Sequence, residues 1–114
     1  MKEYMLLFRG GNNDDFASPE AMQKTMALWK TWMDDLAKQQ RLGAAQPLKP
    51  EGKLVKGAKK QVVDGPFTEG KEIVGGYLLL KAEDIQEAVE LSKGCPALQQ
   101  NGIVEVREIQ ELTM

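Results

Sequence analysis

The chain has 114 residues, with 15 Lys plus Arg against 17 Asp plus Glu, a single Cys and no His. Without histidine there is no Ser–His or Cys–His nucleophile pair, no imidazole metal ligand and no imidazole base poised near neutral pH. A lone cysteine excludes an internal disulfide framework and a multi-Cys zinc site, which fits a reduced, cytoplasmic protein.

The length predicts one domain over residues 1–114 with one core. Nothing like ~20 apolar residues occurs in a row, so no membrane segment is expected. The formal charge of −2, with scattered lysines, gives no electrostatic footprint for nucleic acid. Lys53, Lys56, Lys59 and Lys60 do cluster, but no aromatic interleaves with them, and they read as a solvated hairpin.

In chain order, residues 4–8 form a compact apolar run bounded by a Gly/Asn/Asp loop, which predicts a strand. Both of its faces are apolar: Tyr4, Leu6 and Phe8 on one, Met5 and Leu7 on the other. Ser18-Pro19-Glu20 then opens a helix, with Ser18 as N-cap, Pro19 in the first turn and Glu20 complementing the dipole. Met22, Met26, Trp29, Met33 and Leu36 recur at helical spacing, widened by Leu28 and Trp32, and predict a core-facing stripe over about five or six turns.

Residues 43–60 are rich in Gly, Pro and Lys and read as a hairpin or meandering arm, its second limb running over 59–64. Residues 73–80 (IVGGYLLL) give the strongest strand signal, again apolar on both faces, and the paired glycines predict a bulge or a close backbone approach. A second helix is expected over 83–93, with Ile85, Ala88, Val89 and Ser92 inward, ended by Gly94 and Pro96. The last strand, 103–109, alternates Val104 and Val106 against Glu105, Arg107 and Ile109.

The order β-α-β-β-α-β is the split βαβ, ferredoxin-like pattern of an α+β protein, with an inserted hairpin. Two helices cover one face of such a sheet. The first and third strands are apolar on both faces, so the uncovered face predicts a homodimer closed through the sheets.

Asp64-Gly65-Pro66-Phe67-Thr68-Glu69-Gly70-Lys71-Glu72, leading into Ile73-Val74-Gly75-Gly76-Tyr77, closely resembles the signature of the YCII-related family in its DGPF-domain branch. The likeness runs nearly end to end, through Cys95-Pro96 and Glu105-Val106-Arg107, although Thr68 and Gly70 replace the Ala and Thr common there, and Glu108 stands where Pro is usual. The resemblance implies a dimeric α/β-barrel. Function in this family is mostly unassigned. Some members are encoded near, or fused to, extracytoplasmic-function sigma factors, which implies a regulatory partner as one alternative role. The chemistry suggested for YCII proteins proper rests on a His–Asp pair, of which only the aspartate carries over, onto Asp64.

Asp64 has two readings: its carboxylate bonds amides of the following turn, or it acts as a general base in a cleft. Lys71 and Glu72 precede the central strand and either line the ligand cavity or clamp the loop as an ion pair. Arg107 faces the barrel interior if Val104 and Val106 face the helices, and a guanidinium there needs an acidic partner or an anionic ligand; on an edge strand it could equally reach water. Tyr77 presents its hydroxyl to the same interior or belongs to the core. Cys95, just past a helix C-terminus and with no His to activate it, is not expected to act as a nucleophile. No spacing argues for a metal, and no cofactor is expected.

The sequence therefore predicts a small homodimeric barrel that binds a small polar or anionic molecule near Asp64, Tyr77 and Arg107. A cofactor-independent acid–base enzyme using Asp64 is the alternative chemistry.

Overall fold

A four-stranded antiparallel sheet carries two helices on one side, and a separate two-stranded hairpin extends from it. The computed structural model describes residues 1–10, 18–65 and 73–112. The elements are β1 (Lys2–Gly10), α1 (Pro19–Lys38), β2 (Leu42–Pro47), β3 (Gly52–Lys56), β4 (Gln61–Gly65), β5 (Val74–Ala82), α2 (Ile85–Ser92) and β6 (Gly102–Glu108). A short 3-10 turn, Pro96–Gln100, precedes β6. The sheet order β2-β5-β1-β6 is that of a ferredoxin-like fold, and β3–β4 is the inserted hairpin.

Local chemistry accounts for the helix ends. The Ser18 hydroxyl accepts from the Ala21 N–H at 3.0 Å, and Pro19 opens α1. Asp84 caps α2 by accepting from the Glu87 N–H at 2.8 Å. The Glu87 carboxylate accepts in turn from the Glu83 N–H at 2.9 Å and pairs with Arg41, whose guanidinium also donates to the Lys81 carbonyl. This arrangement ties α2 to the sheet and, through the Glu83 N–H first and Arg41 second, holds the Glu87 carboxyl below its ordinary pKa.

Alternation along the strands decides which residues meet the helices. Tyr4 and Leu6 of β1 and Leu78, Leu80 and Ala82 of β5 are fully buried against Trp32 and Leu36 of α1 and Ala88 of α2. Val104 and Val106 pack against this core from β6. Phe8, Trp29 and Trp32 meet edge to face, with ring centroids 5.1–6.4 Å apart, and the Trp32 indole N–H donates to the Leu91 carbonyl at 3.1 Å, joining α1 to α2.

Three expectations differ in detail. The stripe of α1 is buried only in its C-terminal half: Met22, Met26 and Leu28 are exposed, Met26 at 61%, because the buried contacts with the sheet fall at Trp32 and Leu36. On α2, Ala88, Leu91 and Ser92 supply the contact, whereas Ile85 and Val89 stand at its rim. The segment 43–60 is not one arm. Its first part is the edge strand β2, hydrogen-bonded to β5, and only residues 52–65 form the hairpin.

The glycine pair behaves as its sequence predicts. The β1–β5 register shifts between Phe8 and Arg9, opposite Gly75. A Cβ on Gly76 would lie 2.9 Å from the Gln46 carbonyl oxygen of β2, so the edge strand can approach only a glycine there. Among the described residues no helix is long and apolar enough to cross a membrane.

Candidate functional site

The face of the sheet turned away from the helices carries a charged group in an apolar setting. With Val104 and Val106 on the helix side, Glu105 and Arg107 project from β6 onto the opposite face. The register places Leu7 between Tyr77 and Glu105, and Met5 between Leu79 and Arg107. Tyr77 and Arg107, both picked out by the sequence, thus share one surface with Met5, Leu7 and Leu79. Two strand spacings, about 10 Å, separate β5 from β6, with Leu7 and Met5 of β1 lying between them.

Glu105 is shared by two guanidinium groups. Arg9 pairs with it through Nη2, both side chains being about one-third exposed, at 32% and 33%. Arg107 approaches the other carboxylate oxygen at 3.8 Å through Nε and remains largely exposed. Two positive charges against one negative leave the cluster with an excess of one. The Arg9 Nε is buried and has no hydrogen-bond partner among the described residues. A carboxylate or phenolate oxygen is the natural complement to such a group.

Arg9 is the residue that the sequence reading passed over. The signal was available: alternation extended one residue beyond 4–8 puts Arg9 with Met5 and Leu7. The bulge opposite Gly75 lies at this residue, and bulges commonly re-aim a side chain at a functional surface.

The remaining candidates stand elsewhere. Asp64 lies on β4, in the separate hairpin, where its exposed carboxylate pairs with Lys53. Lys71 and Glu72 lie outside the described residues. Cys95 is buried, and burial pushes its thiol up to about 11 although the Ala97 N–H opposes this, so at neutral pH it is an inert thiol. The Tyr4 hydroxyl is on the covered face, and burial first, then the charges of Glu108 and Asp84, raises its ionisation above that of an ordinary phenol. Among the described residues no three Cys, Asp or Glu side chains gather as metal ligands.

The family model of the YCII-related domain matches residues 3–113. No curated protein was found to match the chain. Among solved structures, the chain is similar to 5-chloro-2-hydroxyhydroquinone dehydrochlorinase (TftG) from Burkholderia phenoliruptrix AC1100, in complex with 2,5-dihydroxybenzoquinone. The two share 14% identity at a TM-score of 0.52, over 94% of this chain and 93% of that one. At that identity the likeness is one of fold.

Proposed function

The chain belongs to the YCII-related family, and on that premise we propose that it is a small-molecule-binding module that takes a compact organic anion on the open face of its sheet. In this reading Arg107 and Arg9 hold the anionic oxygen, Glu105 fixes both guanidinium groups, and the Tyr77 hydroxyl contacts a second polar atom across the face. A second copy of the chain closes the site, because Met5, Leu7, Leu79 and Ile103 make that face apolar and no helix among the described residues covers it.

One observation carries the reading: a carboxylate shared by two arginines, with net positive charge, on a largely apolar surface beside a tyrosine. The fold-level neighbour's ligand, a ring with two acidic hydroxyls, is a suitable probe of that chemistry. Asp64 offers less, since its carboxylate is exposed and paired with Lys53 rather than held in a cleft.

The test is calorimetric titration with 2,5-dihydroxybenzoquinone and with benzoate. Saturable binding is expected, and Arg107→Met should weaken it about 10-fold or more, the scale of a hydrogen bond to a charged group. Tyr77→Phe should weaken the dihydroxyquinone more than benzoate. Absence of saturable binding by either anion, or affinity unchanged in Arg107→Met, overturns the assignment.

A further inference from the structure

The hairpin β3–β4 presents a face that none of the described residues covers. Its register pairs Lys53 with Asp64 and Val55 with Val62 on one side, and Leu54 with Val63 and Lys56 with Gln61 on the other. Leu54 and Val63 are half-buried, whereas Val55 and Val62 are 68% and 62% exposed. An isolated two-stranded hairpin is at best marginally stable in water, and stable ones bury an apolar face against something else. Among the described residues the hairpin is hydrogen-bonded to no other strand. It also helps to explain a radius of gyration of 15.8 Å, against about 13 Å for a compact domain of this size.

We propose that this arm is a second association surface, on which two copies of the chain meet arm to arm. The occupant follows from the pattern of the face. It has two rows, Lys53 beside Asp64 and Val55 beside Val62, with each row split between the two strands. A two-fold axis parallel to the strands lays β3 of one copy against β4 of the other. Each Lys53 then faces the partner's Asp64, and each Val55 faces the partner's Val62. Any isologous contact requires such reciprocity, residue i on j and j on i, and this face satisfies it in charge and in shape. The opposite side of the arm lacks it, because Lys56 pairs with the neutral Gln61.

The valines supply the buried apolar area, and the charges select register and orientation. A four-residue face is smaller than the about 800 Å² per partner of a standard interface, so the contact is concentration-dependent. Asp64 acquires a role in this assembly that needs neither a catalytic cleft nor the following turn.

Mixing charge variants tests the proposal, with mass read by sedimentation velocity over a concentration series. Lys53→Glu makes the face doubly negative and Asp64→Lys makes it doubly positive, so each alone should lose the arm-linked species. An equimolar mixture should regain it, because opposite faces then meet. Val55→Ser combined with Val62→Ser should lose it in every mixture. If the mixture merely averages its two components, or if no variant changes the mass, the proposal fails. The sheet-face dimer is read separately: with both contacts the wild type rises to about 51 kDa or beyond, four or more chains of 12.7 kDa, and the arm variants stay at about 25 kDa. If the arm alone operates, those masses become about 25 and 12.7 kDa, and the sheet-face reading is the one that fails.

Discussion

The two faces of the central sheet are made by the same strands, yet they are chemically unlike. Leu6, Leu78 and Leu80 on the covered face are essentially without solvent contact. Met5, Leu7, Tyr77 and Leu79, each one residue away, are only half-buried and stand beside Arg9, Glu105 and Arg107. A strand that must serve only one core alternates apolar with polar residues. In β1 and β5 the second set is apolar as well, the pattern expected of a face that meets something outside the fold of one chain. The covered core and the face proposed for recognition are thus separated by a single step along each strand.

Adjacent leucines give the strongest way to break that comparison. Leu78→Ala opens a cavity beneath both helices and should cost about 2–5 kcal/mol, lowering Tm by on the order of 10 °C or more. Leu79→Ala, on the open face, should leave the Tm of the isolated chain within a few degrees and act instead on self-association measured by sedimentation. Equal losses of Tm from the two variants would show that the open face belongs to the core of one chain.

The adjacent glycines sharpen the same contrast at smaller scale. A Cβ at Gly76 would meet the Gln46 carbonyl oxygen at 2.9 Å, and this backbone atom can move only if β2 is displaced. Gly76→Ala should therefore cost about 1–3 kcal/mol and loosen the edge strand, seen as faster amide exchange over β2. At Gly75 an added Cβ would meet the Phe8 carbonyl oxygen at 3.8 Å, an ordinary contact, so Gly75→Ala should change stability little. A larger loss at Gly75 than at Gly76 would mean that the bulge, rather than the approach of β2, sets the requirement.

These residues also mark what the sequence could and could not disclose. The α+β order, the apolar second face and the function of the glycine pair are legible because they depend on alternation and backbone sterics, which are local. The edge strand β2 was hidden, since Leu42-Gly43-Ala44-Ala45-Gln46-Pro47 lacks β-branched and aromatic residues and is extended by its pairing with β5. Pro47 is compatible with a strand only because β2 lies at the edge of the sheet. The exposure of Met22 and Met26 was equally invisible, because helical spacing says which residues share a side but not how far the sheet reaches beneath them. At the site, alternation put Arg107 and Tyr77 on one face. The shared carboxylate of Glu105 and the pairing of Asp64 with Lys53 arise from register, which a single sequence does not carry.

The Arg–Glu pairs on the two faces offer the finest test of the division. Arg9–Glu105 belongs to the open face, and Arg41–Glu87 anchors α2 on the covered one. The Glu87 carboxylate also accepts from the Glu83 N–H, and these contacts lower its pKa from the usual 4.5. A carboxyl whose folded pKa is depressed adds stability above its unfolded pKa and loses it as the pH falls through the folded value. Glu87→Gln should therefore lower Tm at pH 7 by less than either core change, since the pair is partly exposed and screened by water. The gap between variant and wild type should close as the pH falls through the lowered pKa of the wild-type carboxyl, which then becomes neutral as well. Glu105→Gln should leave Tm at pH 7 nearly unchanged and weaken anion binding by releasing both guanidinium groups from their common anchor. A loss of Tm at Glu105 as large as that at Glu87 would place the open-face cluster among the structural contacts and remove the distinction between the two sides.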